Sequence, residues 1–309
     1  MFEQVGDLFS TIAQKVGDGS GFWIIFGSYM AMVFAERLVY ALRRNAEWHE
    51  REARANVFNQ LVNEAVGALL TGALFMGIYV LIYNNVRLFD IPFAGWAWML
   101  AFLLNDLAYY VDHRISHRSG FFWAFHIPHH SSQEMNLLVS PRGSIFGLNG
   151  VISPTYFLLA LIGLPPAMFL AVKFFGNLWG IFNHTRLIHR MGFLEGILAT
   201  PANHRVHHGT ETKYLDRNYG QTLILWDRMF QSWQPEEEEP TYGLVKQMDS
   251  HRIWDIQTWG IRWLIGQVRS ADRWSDKCLY LIKPPGWSHD GRHEMTETLI
   301  AAHSVPLRG

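Results

Sequence analysis

Long stretches without a charged side chain constrain the fold of this 309-residue chain more than any other feature. Residues 65–83 and 143–172 carry no charge, and residues 91–105 continue through Asp106 to Tyr110. As helices, segments of this length match the roughly 30 Å hydrocarbon core of a bilayer. We therefore predict an all-α, polytopic membrane protein.

Two further segments complete the predicted spans. Residues 21–42 are apolar apart from Glu36 and Arg37, which could pair with each other or reach the interface. The stretch from residue 143 to residue 182 is divided by Gly163-Leu164-Pro165-Pro166, and proline interrupts a helix. We expect a spanning or re-entrant hairpin here, and about four to five spans if the hairpin crosses the membrane.

The arginines predict how these helices are oriented. The loop from Arg43 to Arg54 also contains Arg44 and Arg51, and basic loops favour the cytoplasmic side. Two more spans return the chain to that face after Tyr110. The N-terminus lacks the basic start of a secretory signal, so the apolar segments are expected to be retained. The prediction is a multi-pass protein whose active site lies on the cytoplasmic face.

Composition narrows the chemistry. A formal net charge of -1 gives no electrostatic reason to expect a nucleic-acid partner. The single cysteine, Cys278, excludes a disulfide framework, an iron–sulfur cluster and a multi-thiolate zinc site. Any metal must be held by histidines and carboxylates.

We expect an N-terminal segment with the first span (1–60), a catalytic region (61–245) and an interfacial or cytoplasmic tail (246–309).

Ten of the fifteen histidines lie between His113 and His208, and most of them fall into three boxes. The boxes are His113-x3-His117, His126-x2-His129-His130 and His204-x2-His207-His208. The first continues a predicted helix, on which residues four apart share a face and can bind one ion. Imidazoles suit iron, zinc, copper or nickel better than magnesium or calcium. Eight histidines exceed what one ion needs, so we predict two, and iron is the metal of this set that activates dioxygen.

The boxes and their flanking residues resemble the fatty acid hydroxylase (sterol desaturase) superfamily, in the branch that includes alkylglycerol monooxygenase and many bacterial sterol desaturases. The likeness covers roughly residues 60–245. The flanks that carry it are Asp106 to Tyr110, Trp123 to Ser132, Thr200 to Gly209, Asn218-Tyr219-Gly220 and Trp226-Asp227-Arg228. The resemblance implies that the eight box histidines are metal ligands and that His184, in Asn183-His184-Thr185, is a ninth.

By this resemblance the protein is a membrane-bound di-iron monooxygenase that hydroxylates a lipid with dioxygen. The lipid could be a fatty acyl chain, an ether lipid or a sterol-like molecule, since Gln133, Met135 and Pro141 depart from the usual pattern near the substrate's path. The reductant would be an electron-donor protein or a tetrahydropterin, and zinc could substitute for iron. A lipid desaturase of the same superfamily is the alternative, and a membrane metal-binding or carrier protein a more distant one.

Residues outside the boxes give further expectations. Asp106 precedes His113 by seven residues, so it could accept an imidazole N–H, with pairing to Arg114 as the alternative. Asn136 and Arg142 could contact a lipid head group or stabilise a loop. His189 matches no box and is expected to be structural.

Two surface features are open to two interpretations, and a third has one. Five arginines near the boxes suit docking of an acidic partner or simply follow the positive-inside bias: Arg114, Arg118, Arg186, Arg190 and Arg205. Residues 252–269 predict an interfacial helix or one packed on the catalytic region. Residues 236–239, four consecutive glutamates, predict a solvated turn.

Overall fold

A computed structural model describes residues 20–43, 48–66, 72–147, 154–292 and 296. These residues form helices joined by turns, with β-structure limited to isolated bridges such as Leu198 with Leu223. The helices are α1 Ser20–Arg43, α2 Glu50–Val66, α3 Gly72–Val86, α4 Gly95–Arg118, α5 Gly120–His130, α6 Pro154–Ile162, α7 Pro166–Phe182, α8 Pro201–His207, α9 Leu225–Met229, α10 Ile253–Ser270 and α11 Trp274–Ile282. The predicted all-α class is confirmed.

Helix α4 is the central element of the fold. Its 24 residues extend about 36 Å at 1.5 Å per residue. It packs against α5, α6 and α7, and its apolar half joins a buried core with α3, α6 and α7. Tyr79, Trp98 and Phe169 are among the buried side chains of this core. The last turns of α4 extend beyond the core and carry the first histidine box.

The predicted break at residues 163–166 forms a helical hairpin between α6 and α7. Gly163 has φ +107°, and a Cβ atom built there would lie 1.8 Å from the carbonyl oxygen of Phe89. Only glycine fits this close approach, because a side chain would collide with backbone. The Tyr79 hydroxyl donates to the Leu164 carbonyl at 3.0 Å and fixes the turn to α3.

The predicted spans are only partly matched by helices. Residues 21–42 lie within α1, and α4 covers 95–118. Of the predicted span 65–83, residues 65 and 66 lie on α2 and residues 72–83 lie on α3, while 67–71 lie outside the described residues. Among the described helices, none combines the length and the apolarity that crossing a membrane requires.

The region between the first two helices also differs from the expected loop. Arg51 and Arg54 lie on α2, while Arg44 falls outside the described residues. Glu36 and Arg37 do not pair with each other. The buried Glu36 accepts hydrogen bonds from the Leu137 amide and the Thr185 hydroxyl, whereas Arg37 pairs with Glu50 at 2.6 Å.

Helix α10 packs against α5, which bears the second histidine box. The contact is close at Gly260, where a Cβ atom would lie 1.9 Å from the carbonyl oxygen of Ala124. The opposite side of α10 exposes Trp254 and Ile265. Of the two expectations for residues 252–269, the structure therefore shows packing, with α5 as the partner helix.

Gly260→Ala is expected to lower the free energy of unfolding by about 1–3 kcal/mol, because the added methyl group must push α10 away from the α5 backbone. Gly266→Ala is the matched control. It lies on the same helix with no atom within 4 Å of an added Cβ, so it should leave stability unchanged or raise it. Denaturant unfolding of both variants measures the difference, and equal stabilities would contradict the close packing.

Candidate metal centre

The histidines come from the ends of four helices. His113 and His117 lie on the last turns of α4, and the second box lies on α5. His184 follows α7, and the third box lies on α8 and its C-terminal cap. The Thr200 hydroxyl accepts the Asn203 amide at 3.4 Å and Pro201 occupies the first turn, so Thr200-Pro201 starts α8.

These ends bring all nine predicted histidines into two adjacent groups. Within each group the nitrogen atoms that could bind a metal lie within 4.8 Å of one another. The first group contains His113, His117, His126, His130 and His207, and the second contains His129, His184, His204 and His208. Each group could hold one metal ion. His189 lies outside both, as expected.

The spacing of the nitrogen atoms fits metal binding. In the first group, Nε2 of His130 lies 3.1 Å from Nε2 of His117 and of His207. In the second group, Nε2 of His184 lies 2.9 Å from that of His204 and 3.3 Å from that of His129. Ligands about 2.1 Å from one ion in octahedral geometry are about 3.0 Å apart along each edge.

Hydrogen bonds made by the Nδ1 atoms determine the tautomer of each imidazole and the nitrogen that faces inward. The Nδ1 atoms of His113 and His207 donate to the carbonyls of Tyr219 and Arg217, each at 2.8 Å. A carbonyl can only accept, so Nδ1 carries the proton and a neutral ring presents the Nε2 lone pair inward.

The second group repeats this pattern and gives the sharpest test of fit. Nδ1 of His184 donates to the Gly180 carbonyl at 2.7 Å, and Nδ1 of His129 donates to the Arg142 carbonyl at 3.3 Å. The Nε2 lone pairs of His129 and His184 then face each other across 3.3 Å with no proton between them. A cation between these lone pairs would remove their repulsion, so the donor set fits a metal ion in each group.

Protonation of the imidazoles near pH 7 would not supply that positive charge. Burial lowers the pKa of His113 to about 3, with a further contribution from His117, and burial lowers the pKa of His184 to about 4. Burial likewise holds the pKa of His126, His129 and His204 well below its usual value. These five imidazoles are therefore neutral near pH 7, which is the state in which they bind metals.

Asp106 does not have the predicted role. Its buried carboxylate accepts from the Thr222 and Leu223 amides at 3.0 and 3.1 Å and from the Trp226 indole at 2.9 Å. These three donors occupy the carboxylate oxygens of Asp106. Asp106 therefore hydrogen-bonds neither to an imidazole nor to Arg114. Asp106 instead anchors the segment that follows Tyr219, whose carbonyl accepts from His113.

Two other aspartates support the first group, and the sequence interpretation did not single them out. Asp227 accepts from the Tyr219 and Gly220 amides at 2.8 and 2.7 Å, and burial raises its pKa to about 6 against these hydrogen bonds. Asp216 lies with Oδ1 3.5 Å from Nδ1 of His117. Burial alone would raise the pKa of Asp216, but the interaction with His117 holds it below its usual value.

Asp227 was visible in the sequence only as part of the Trp226-Asp227-Arg228 flank. Nothing in the sequence distinguishes Asp216, which has the left-handed φ of 56° and reaches His117 across the fold. Asp216 therefore takes the place beside an imidazole that was expected for Asp106.

Arg142 supports the second group from a loop. Its guanidinium is buried and pairs with Glu52 at 2.5 Å, donates to Asn56 and to the Pro128 carbonyl, and so fixes the carbonyl that accepts from His129. Asn136 is also buried and accepts from the Leu138 amide at 3.1 Å. Both residues stabilise loops, which was one of the two expectations for them.

The arginines near the boxes are largely engaged within the chain. Arg205 is buried and pairs with Glu236 at 2.6 Å, and Arg186 pairs with Glu239 at 2.5 Å. Arg190 donates to the Glu236 carbonyl, and Arg114 donates to the Tyr110 hydroxyl. Residues 236–239 form the predicted solvated segment, since Glu237, Glu238 and Glu239 are exposed, although Glu236 and Glu239 also pair with arginines.

Comparison with known proteins places this site in a family. The family model for fatty acid hydroxylase matches residues 98–232, which include all nine histidines. Alkylglycerol monooxygenase of Xenopus tropicalis is 34% identical over 245 residues, which cover 78% of this chain and 54% of that protein. The chain thus spans about half the length of that relative.

Two other kinds of relative are more distant. Ornithine lipid hydroxylase of Rhizobium tropici is 28% identical over 42% of this chain and 40% of its own length. A Delta(7)-sterol 5(6)-desaturase of Gibberella zeae is 23% identical over 74% of this chain and 73% of its own length. No solved structure shows significant similarity to the chain. On the family match and the alkylglycerol monooxygenase similarity together, this chain belongs to the fatty acid hydroxylase family.

Proposed function

We propose that this protein is a membrane-bound di-iron monooxygenase that hydroxylates a lipid with dioxygen. The observation that carries the proposal is the division of nine histidines into groups of five and four, with neutral lone pairs directed inward. Relatives named as an alkylglycerol monooxygenase and an ornithine lipid hydroxylase support lipid hydroxylation.

The ligand set favours iron for this purpose, with zinc as an inactive substitute. Bound iron would supply dioxygen activation and the oxidation of an unactivated C–H bond. The protein's contribution is to fix the ligands. Carbonyls of Tyr219, Arg217, Gly180 and Arg142 set the tautomers, and the Asp216 carboxylate offsets part of the positive charge.

The overall stoichiometry requires a reductant. Hydroxylation places one oxygen atom of dioxygen in the lipid, and the other leaves as water after taking up two electrons and two protons. A separate electron-donor protein or a tetrahydropterin would supply the electrons. The match covers only about half of alkylglycerol monooxygenase, so similarity to that enzyme does not identify the reductant of this chain.

The second candidate function is lipid desaturation, which the similarity to a sterol desaturase favours. Both reactions begin by removing a hydrogen atom from the lipid. Hydroxylation requires one C–H bond near the oxidant, whereas desaturation requires two adjacent C–H bonds in sequence. The greater identity to the monooxygenase, 34% against 23%, also favours hydroxylation.

Membrane residence is part of the proposal. Large apolar side chains are exposed on several helices, including Phe34 and Leu42 on α1, Leu81 on α3 and Trp96 on α4. Exposed apolar surface of this extent is typical of contact with a partner or a lipid phase. We propose a multi-pass arrangement in which the histidine groups lie on the cytoplasmic side.

Replacing one histidine of a group is expected to lower metal content and abolish product formation, because one coordination position is lost. His113→Ala and His207→Ala should empty the first group, and His129→Ala the second. We expect the metal content to fall from two ions per chain to about one in each variant, as measured by elemental analysis.

The matched control is His189→Ala, which removes a histidine close to the third box but outside both groups. It should retain two ions and full turnover. Wild-type metal content in His113→Ala and His129→Ala would contradict the assignment of ligands.

Labelled dioxygen distinguishes the two candidate reactions. Hydroxylation predicts one labelled oxygen atom retained in the lipid product, detected by mass spectrometry. A new double bond with all the label in water would instead identify a desaturase. Protein loaded with zinc provides the control, since it should yield neither product.

The sidedness of the histidine groups can be measured with reporter fusions after Val245, which is exposed at 73%. A cytoplasmic reporter active only in a reducing compartment should report there, because the arginines of residues 43–54 favour the same side. A periplasmic or luminal signal would overturn the proposed orientation.

A further inference from the structure

Helix α11 exposes apolar side chains on the side where a helix facing water usually carries polar ones. Trp274, Leu281 and Ile282 are exposed at 79%, 38% and 67%, and Cys278 is also exposed. The four residues stand at positions i, i+4, i+7 and i+8, so they lie along one side of the helix. Together they form the α11 face.

The inner side of α11 is fixed to the start of α5. Tyr280 is buried, and a Cβ atom built on Gly120 would lie 2.2 Å from the Tyr280 carbonyl oxygen. The Gly120 amide donates to the Lys283 carbonyl at 2.9 Å, and the Ser119 hydroxyl donates to the Leu281 carbonyl at 2.7 Å. Because these contacts fix the rotation of α11, its apolar face stays on the outside.

The α11 face continues into an apolar groove where α4 meets α5. The groove has a volume of about 510 Å³, and Leu281 and Ile282 form its α11 side. The other side is lined by Ile115, Phe121 and Phe122, with Arg118 and Ser119 between them. A continuous exposed apolar surface indicates contact with a partner or with lipid.

Basic side chains border the α11 face. Arg273, Lys277 and Lys283 flank it in the chain, and the Lys277 ammonium lies 5.2 Å from the centroid of the Trp274 ring. Within the described part of the chain, none of the three forms an ion pair with a carboxylate. An indole beside cationic side chains on an amphipathic helix is typical of helices that lie at a membrane interface.

Helix α10, which packs against α11, has the same character. Its exposed side chains include Trp254 and Ile265 together with Arg262 and Arg269. Residues 252–283 contain six lysines and arginines against three aspartates, which gives a formal charge of +3, whereas the whole chain has -1. This segment is therefore complementary to an anionic surface.

We infer that the α11 face docks on an anionic lipid surface, with its apolar side chains in the head-group layer and the flanking cations against the head groups. A bilayer surface supplies an apolar layer and negative charges side by side, so one partner satisfies both parts of the face. The inference rests on the proposed function for membrane residence. Helices α10 and α11 begin after residue 232, where the family match ends, so this surface lies outside the matched region.

The single cysteine of the chain provides the probe. Cys278 lies on the α11 face, so an environment-sensitive fluorophore can be attached there without any substitution. The metal-loaded full chain is reconstituted in vesicles of phosphatidylcholine, alone or mixed with phosphatidylserine. Quenching by lipid with a nitroxide on its head group is compared with quenching by aqueous iodide. We expect the ratio of lipid to iodide quenching to be about fivefold or more higher in the mixed vesicles, since one basic residue near an anionic surface contributes about that factor.

Charge variants test the anionic part of the inference. Arg273→Gln combined with Lys283→Gln removes two flanking charges and should bring the ratio in mixed vesicles close to that in phosphatidylcholine. Lys246→Gln, at an exposed lysine outside α10 and α11, is the matched control and should behave like wild type. A label at Glu237→Cys in a Cys278→Ser background should be quenched by iodide in both kinds of vesicle. Thermal unfolding and metal content show that each variant is folded.

Three results would overturn the inference in folded, vesicle-bound protein. The first is quenching of the Cys278 label by iodide alone. The second is protection from both quenchers, which would indicate that a protein chain covers the face. The third is an equal ratio of lipid to iodide quenching in the two kinds of vesicle.

Flotation and product analysis of the same vesicles separate this inference from the proposed function. Protein that floats with the vesicles and oxidises lipid, but shows no quenching by lipid, refutes the docking of the α11 face alone. Quenching by lipid without any oxidised product keeps the docking and refutes the monooxygenase. Protein that floats with neither kind of vesicle refutes membrane residence and the docking together.

Discussion

The metal centre depends on hydrogen bonds from imidazole Nδ1 to backbone carbonyls. These bonds decide that the Nε2 lone pairs of His113, His129, His184 and His207 face inward, and lone pairs about 3 Å apart repel unless a cation lies between them. Three of the four accepting carbonyls belong to loops rather than helices. The orientations of the imidazoles therefore depend on the positions of the loops that supply those carbonyls.

Buried charged groups hold these loops. Asp227 accepts from the two backbone amides that precede residue 221, and Asp106 accepts from the two that follow it. Arg142 pairs with Glu52 on α2. Withdrawing such groups from water costs free energy that several hydrogen bonds offset, while removing one partner leaves the other charge uncompensated. This explains why a chain so rich in apolar residues retains charges in its interior. They fix backbone positions to which the imidazoles are bound.

The sequence was sufficient to find eight of the nine histidines by their box spacing, which is a local property of helices, whereas His184 followed from the family resemblance alone. The sequence also contains a pattern that indicates how the histidines divide into the two groups. In the second box His126 and His130, four residues apart, share a group, and in the third box His204 and His208 do the same. The partners of Asp106 and His117 could not be found this way. Helical spacing tells which face a residue occupies, but not which distant loop, such as 216–226, packs against it.

The division of the boxes also determines how the two groups are placed relative to each other. His129 and His130 are neighbours in the chain but belong to different groups, and so are His207 and His208. Consecutive Cα atoms are about 3.8 Å apart, so two single peptide units, one on α5 and one after α8, limit the separation of the groups. Within the described residues neither group includes a carboxylate that could bridge two ions. The separation is therefore set by the backbone at these two pairs of adjacent residues, on α5 and at the end of α8.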